Sequence, residues 1–128
     1  MIITQVEQAK LNAQKTVGRL WRIGGRAQAA ADRAKQASTR IADQTAECDP
    51  DSVASLYLEA AGRLASTAVR MAADAAYLAD LGIHLVDLDA RFADDAKSFA
   101  DQSACCADEA VKSVADALSF ADKGAATS

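Results

Sequence analysis

Small and apolar residues recur along the chain at alternating spacings of three and four, the pattern of amphipathic helices that cross at a shallow angle. The first series starts after Ala13 and comprises Val17, Leu20, Gly24, Ala27, Ala31, Ala34, Ser38, Ile41, Thr45 and Cys48. Thr4 and Glu7 fit the S/T-x-x-E capping box that begins a helix. Because the register continues through Gly24-Gly25, we predict one long helix over residues 5–47. A kink at the two glycines is the alternative.

The stretch Asp49-Pro50-Asp51-Ser52 interrupts this pattern. Proline fits the first position of a helix, where its missing N–H is not needed, and Asp49 can cap the free N–H groups there. We therefore predict a second helix over residues 51–81. Its inner side comprises Val53, Leu56, Ala60, Leu64, Ala68, Met71, Ala75, Leu78 and Leu81.

Gly82 is predicted to end the second helix, and a third helix is predicted over residues 88–122, followed by a frayed tail at 123–128. The inward face of the third helix comprises Phe92, Ala96, Phe99, Ser103, Cys106, Ala110, Val114 and Ala117. The alternative is a helix continuous through Gly82, roughly 100 Å long at 1.5 Å per residue, which would need a second chain to cover it. The predicted fold is all-α: a single domain, 1–128, of long antiparallel helices in a three-helix bundle or an extended helical hairpin.

Composition and charge narrow the class of protein. Hydrophobic residues make up 51% of the chain but aromatic residues only 5%, and a single proline is present, so the core must be thin and rich in alanine. Residues 1–48 hold eight Lys/Arg and four Asp/Glu, whereas residues 49–128 hold six and fourteen. Because the basic residues are spaced singly, this asymmetry favours helices with complementary surfaces over nucleic-acid binding.

Every window of about 18 residues carries charge, which predicts that no segment spans a membrane. The N-terminal MIITQVEQAK lacks a basic region followed by an apolar core, so we expect a cytosolic protein made without a signal peptide.

Two similar heptapeptides, ADQTAEC and ADQSACC, end at Cys48 and Cys106. In a three-helix bundle the first lies at a turn and the second in mid-helix, about 15 Å or more apart along the axis, whereas a disulfide requires Cα atoms within about 7 Å. We predict reduced, packing cysteines, with an intermolecular disulfide or a redox role as the alternative. Zinc is not predicted, because the chain has no Cys-x-x-Cys pair and one histidine.

That histidine, His84, has Asp80 four residues before it and Asp87 three residues after it. A carboxylate–His–carboxylate site can be drawn on a continuous helix, but an isolated histidine is more typical of a surface or inter-helix contact. No phosphate loop, nucleophile motif or Glu-x-x-His pair is present. We therefore predict a protein that is not an enzyme and that has no catalytic residue, cofactor or metal.

The remaining hypothesis is docking onto another helical protein or onto a second copy of the chain. Small residues on the contact face of a helix would permit close approach of the partner helix, and large ones would supply buried apolar area. The candidate interaction residues are Trp21, Gly24, Leu64, Met71, Phe92 and Phe99. Trp21 is expected to be a packing anchor, with an exposed contact residue as the alternative. A competing hypothesis is reversible binding of an amphipathic helix to membrane or lipid-body surfaces, which the shortage of bulky apolar residues disfavours.

From Asp49 onward the sequence resembles the WXG family of helical-hairpin proteins handled by bacterial type VII secretion. The similar stretches are DPDSVASLYLEAAGRLASTAVRMAADAAYLADLG and DARFADDAKSF. The resemblance implies a secretion-associated substrate, accessory or chaperone-like protein that pairs with another helical chain, and a non-classical export route. The family's tryptophan-x-glycine turn has no counterpart near His84, and its tyrosine-based export signal is unmatched, because Ala61 follows Tyr57 where an acid is required.

Overall fold

The first helix is held at its start by the capping box. A computed structural model describes residues 4–127, and in it α1 spans Gln5–Ala46. The Glu7 N–H donates to Thr4 Oγ1 at 3.2 Å, while the Thr4 N–H donates to Glu7 Oε2 at 3.4 Å. The helix continues through Gly24 and Gly25, neither of which has a positive φ. This confirms the prediction of one long first helix.

The turn after α1 is capped differently from the prediction. The second helix, α2, spans Val53–Leu88, and its N-cap is Ser52, whose Oγ accepts from the Ser55 N–H at 3.2 Å. Asp49 instead closes the preceding turn, accepting from the Asp51 N–H at 3.0 Å and, through its backbone carbonyl, from Ser52 Oγ at 2.7 Å. The predicted helix start at residue 51 is therefore wrong by two residues, because the serine hydroxyl caps the helix.

Gly82 does not end α2. The helix passes through Gly82 and ends at Leu88, where Asp89 has extended backbone angles and its carboxylate accepts from the Arg91 N–H at 2.9 Å. A single 3₁₀ turn, Ala90–Phe92, then leads into α3, Ala93–Thr127. The predicted end at residue 81 is thus wrong, and the alternative of a helix continuous through Gly82 is correct as far as Leu88. The roughly 100 Å helix of that alternative does not form, because Asp89 caps the next turn. The predicted start of the third helix at residue 88 is also wrong, since α3 begins at Ala93.

The predicted frayed tail is also wrong for residues 123–127, which continue α3. Gly124 is buried in this last stretch, and a Cβ placed on it would lie 3.1 Å from Leu58 Cγ. The final turns are therefore held by packing against α2. Residue 128 lies outside the described residues.

The three helices form a bundle in which α1 and α3 run parallel and α2 runs antiparallel to both, as the all-α prediction expected. The interior consists of layers to which each helix gives one residue. Ala30, Ala72 and Ala110 form one such layer, and Ala34, Ala68 and Val114 form the next. Side chains this small permit close approach of the helix axes, toward the lower end of the usual range of about 8–10 Å.

Where one helix contributes a large residue to the interior, another contributes glycine. Leu20 is completely buried, and a Cβ on Gly82 would lie 2.9 Å from its Cδ1. Leu58 and Gly124 make the equivalent pair at the other end of the bundle. The glycine removes the volume that the leucine adds, so packing remains close along the whole length.

The predicted inner faces are partly wrong. On α2, Leu56 is 67% exposed and Val53 60% exposed, while Leu64, Met71 and Leu78 are half-buried beside the core. The buried residues of α2 are Ala54, Leu58, Ala61, Ala65, Ala68, Ala72, Ala75, Ala79 and Gly82. Apart from Leu58, for which Gly124 makes room, the bulky side chains of α2 lie at the edges of the interface, because alanine-to-alanine packing leaves little space between the helices.

The buried face of α1 is rotated about the helix axis relative to the predicted face. Leu20, Ala27, Ala34 and Ile41 are buried as expected, but the other buried positions are Ala13, Ile23, Ala30 and Ala37. The predicted Val17, Gly24, Ala31 and Ser38 are only half-buried, Cys48 also is half-buried, and Thr45 is exposed. A helix that packs against two neighbours buries the face that points between them. The predicted residues instead lie along one edge of that face.

Candidate interaction surfaces

A ladder of ion pairs joins α1 to α3 on the outside of the bundle. Arginines from α1 bond to aspartates from α3 that are each 82 residues further along the chain. The pairs are Arg19–Asp101 at 2.7 Å, Arg26–Asp108 at 2.5 Å and Arg40–Asp122 at 2.5 Å. A constant offset is expected of parallel helices in register, since both present the same side every seven residues.

One rung of this ladder is open. Arg33 occupies the α1 position between Arg26 and Arg40, but the matching α3 position, 82 residues on, is Ala115. The Arg33 side chain is exposed and has no ion pair or hydrogen bond in the described part of the chain. The ladder therefore contains a guanidinium group for which α3 supplies no carboxylate.

A shallow groove of about 600 Å³ runs beside the open rung. We call it the α1/α3 groove, and its lining includes Arg33, Ala115, Leu118, Asp122 and Lys123. Val111, which is 42% exposed, lies next to Arg33 in an adjoining depression. Lys123 forms no ion pair with a carboxylate of residues 4–127, and its Nζ lies 4.9 Å from the centroid of the Phe120 ring. The groove thus combines apolar side chains with two cations that form no ion pair with any carboxylate the structure describes.

A second surface lies on the outer side of α2, which faces away from the α1/α3 groove. We call it the α2 ridge; it comprises Tyr77, Asp80, Leu81, His84, Asp87 and Leu88. Tyr77 is 66% exposed and Leu88 73% exposed. The acid–leucine pair Asp80-Leu81 recurs seven residues later as Asp87-Leu88. Neither aspartate forms an ion pair with another described residue, so the ridge is acidic as well as apolar.

The six candidate interaction residues separate into two groups. Trp21 is 67% exposed and Phe92 is 41% exposed. The expectation that Trp21 is a packing anchor is therefore wrong, and so is the assignment of Phe92 to an inward face, because the 3₁₀ turn displaces it from α3. The other four are half-buried within the bundle: Gly24, Leu64, Met71 and Phe99.

The half-buried candidates, of which Gly24 is one, take part in packing between the helices of the bundle. A Cβ on Gly24 would lie 4.0 Å from Ala79 Cβ, which places the glycine on the side of α1 that faces α2. Leu64 and Met71 likewise pack against buried alanines of the core. Among the candidates, the exposed Trp21 and Phe92 remain the most accessible to a partner.

The three cysteines are unpaired thiols. Cys48 packs against the core cluster that contains Ile41 and Leu58, whereas Cys106 packs against the cluster that contains Leu20. The two ends of the repeated heptapeptide therefore lie in different parts of the bundle. Burial raises the pKa of the Cys106 thiol, and the nearby Asp74 and Cys105 raise it further, so this thiol remains protonated at neutral pH.

His84 is exposed on α2, and Asp80 and Asp87 lie on the same helix. Among residues 4–127 no group of three or more His, Cys, Asp or Glu side chains is arranged to hold a metal ion. The same range contains no helix that is both long and apolar enough to cross a bilayer.

The structure reveals functional candidates that sequence reasoning missed. The α1 arginines at 19, 26, 33 and 40 recur every seven residues in the sequence, and this repeat was the available signal. Their aspartate partners could be identified only once the register between α1 and α3 was known.

Comparison of the chain with models of protein families, with curated proteins and with solved structures finds no match. The resemblance to the WXG family therefore remains a prediction.

Proposed function

We propose that this protein is a non-enzymatic interaction module that binds helical chains, its own or another protein's. The distribution of large apolar side chains between core and surface supports this proposal. Leu20 is the one large apolar side chain among the described residues with less than 2% exposure, whereas Trp21, Leu56, Tyr77 and Leu88 are each at least 66% exposed. An alanine core needs none of these four, so their burial is left for a partner.

The energetics support docking on these positions. Tryptophan and tyrosine bury about 150–250 Å² each and dominate the binding free energy of many interfaces. Their main chain is held rigidly within long helices, so docking orders few additional backbone dihedrals. A helical partner is favoured because the exposed Tyr77 and Leu88 on α2 are spaced by turns of a helix, with the half-buried Leu81 between them.

A role as a type VII secretion-associated accessory or chaperone-like protein is a narrower form of this proposal. Its support is the resemblance of residues 49–99 to WXG proteins, and the broader proposal does not depend on it. Identification of the bound partner as a helical-hairpin secretion substrate would support the narrower form.

The test compares the tagged wild-type protein with a variant that carries W21S, L56S, Y77S and L88S. All four side chains are exposed, so we expect unchanged helical circular dichroism and cooperative unfolding. A matched control replaces four exposed polar residues: Q14S, Q28S, Q36S and Q102S. Cross-linking mass spectrometry in the native host should give helical partners for wild type and control, and lose them in the apolar-surface variant.

Two results would contradict the proposal. One is an identical set of cross-linked partners for wild type and the apolar-surface variant. The other is flotation of the wild-type protein with anionic vesicles in the absence of any protein partner, which would support the competing lipid-surface function instead.

A further inference from the structure

Two surfaces of the described chain carry charges of opposite sign that form no ion pair within it. The α1/α3 groove has Arg33 and Lys123, neither of which pairs with a carboxylate among residues 4–127. The α2 ridge has Asp80 and Asp87, neither of which pairs with a cation in that range. Asp122 also lines the groove, but it is already bonded to Arg40. The groove therefore retains positive charge in a chain whose net charge is −4.

The spacings of the two surfaces agree. Asp80 and Asp87 are separated by seven helical residues, about 10.5 Å along the axis at 1.5 Å per residue. Arg33 lies level with Ala115, and Lys123 is eight residues beyond Ala115, which corresponds to about 12 Å. Arginine and lysine side chains are long and flexible enough to accommodate a difference of this size.

The apolar parts of the two surfaces also agree. Leu81 and Leu88 lie beside the two aspartates of the ridge, while Val111 and Leu118 lie beside the two cations of the groove. The ion-pair ladder within the bundle uses the same arginine–aspartate pairing. There, α3 presents aspartates to the α1 arginines at multiples of seven residues.

We propose that the α1/α3 groove binds the α2 ridge of a second copy of this chain, with Asp80 or Asp87 of that copy supplying the carboxylate that the open rung lacks. This inference rests on the proposed function, to which it adds a partner. The groove faces away from α2, so groove and ridge lie on different sides of the bundle. Each copy then offers both surfaces, and the contact is head-to-tail rather than two-fold.

The test uses the purified 128-residue chain and measures its weight-average mass by sedimentation equilibrium over a wide range of concentration. We expect the mass of the wild type to rise with concentration and the rise to weaken in high salt. Ala115→Asp fills the open rung from within the chain and repels an incoming aspartate. It should lower the association constant by about tenfold or more.

Ala42→Asp is the matched control. It makes the same chemical change at an exposed position of α1, nine residues from Arg33 and therefore on the opposite side of that helix. The control should associate like the wild type. Arg33→Gln removes the cation without adding an acid, so it tests the groove independently if A115D affects folding.

A mixing experiment tests the head-to-tail geometry. A115D keeps its ridge and loses its groove, whereas the double variant D80N/D87N keeps its groove and loses its ridge. Each variant alone should remain monomeric, and an equimolar mixture should form a 1:1 dimer that grows no further. A mixture that remains monomeric under conditions where the wild type associates would overturn the proposal.

The inference is also wrong if the wild-type protein remains monomeric at every concentration, or if A115D associates as strongly as A42D. If the purified protein is monomeric while cross-linking in the host still gives a different helical partner, self-pairing fails and the proposed function stands. If neither association is observed, both fail.

Discussion

The two sides of α3 are held to their neighbours by different means. Toward α2, Ser103 is fully buried and its Oγ donates to the Ala75 carbonyl at 2.6 Å, and the rings of Tyr57 and Phe120 stack with centroids 6.2 Å apart. Toward α1, the contacts on the outside of the bundle are arginine–aspartate pairs whose side chains are 38–67% exposed.

This difference determines where the bundle can accept a partner. On the α2 side, removing a side chain would leave a void inside a packed interface. On the α1 side, removing one leaves an opening to solvent with a charged group beside it, which is the situation at Arg33 and Ala115. Stability is therefore expected to depend on the α2/α3 side and binding on the α1/α3 side.

The largest expected effect is overpacking of the tight interior. Ala107→Leu places three additional carbons at a position with 0% exposure, and we expect it to lower the free energy of unfolding by about 3 kcal/mol. Val111→Leu, on the ladder side of the same helix, should change it by less than about 0.5 kcal/mol. Urea unfolding followed by circular dichroism measures both. Equal losses would show that the packed interior and the ladder side of α3 do not differ in this respect.

Two glycine substitutions should have opposite signs. In Gly82→Ala the new Cβ would lie 2.9 Å from Leu20 Cδ1 and 3.4 Å from the Ala96 carbonyl oxygen, so overpacking should outweigh the gain in helix propensity by about 1 kcal/mol. In Gly25→Ala nothing lies within 4 Å of the new Cβ. That variant should be more stable by about 0.5–1 kcal/mol. A stabilising G82A would contradict the proposed leucine–glycine complementarity.

Completing the ladder should have a smaller effect. Ala115→Asp places a carboxylate opposite Arg33, and we expect it to raise the free energy of unfolding by about 0.5 kcal/mol, as exposed ion pairs do. The gain should diminish in high salt and should be absent when Arg33 is also replaced by Gln. The double-mutant cycle is measured by thermal unfolding. A gain that persists in the R33Q background would mean that the added acid acts elsewhere.

The smallest effect is expected at the turn that ends α2. Arg91 lowers the pKa of Asp89, mainly through a side-chain hydrogen bond at 2.8 Å, and Asp89 raises the pKa of Arg91 in return. Because the folded-state pKa of Asp89 is depressed, its stabilisation is present above the unfolded pKa of about 3.9 and is lost as the pH falls through the folded value.

Asp89→Asn should therefore unfold more readily than the wild type at neutral pH, and this difference should shrink in acid. Asparagine keeps an oxygen that can cap the Arg91 N–H but loses the charged pair. Thermal unfolding across an acid pH series measures the effect. A difference that stays constant through this range would exclude the ion pair as its cause.

Local sequence features predicted the helices well where the signal was itself local. The capping box at Thr4 and Glu7 begins α1 as expected, and the alanine-rich register continues through Gly24 and Gly25. Gly82 misled the prediction because its role is not local. It permits Leu20 of another helix to be buried and does not end its own.

Side-chain size misled the assignment of the core for a related reason. Leucines and methionine were expected inside because they bury the most apolar area. In the bundle, the distance between axes is set by alanines on all three helices at once, so Leu64 and Met71 lie at the edge and Leu56 lies outside. The candidate surfaces depended on the same geometry, since the open rung exists only when position 33 lies level with position 115.

The sequence by itself determined that this chain is helical, that it is divided near residue 50, and that its apolar residues are mostly too small to fill a wide core. Propensity, capping and composition act over a few residues, so they can be read without knowing the fold. The tertiary structure decided which alanines meet, why Gly82 and Gly124 are glycines, and which arginine is left without a carboxylate. Those features depend on the register between helices, which is fixed only when the side chains of all three helices pack together.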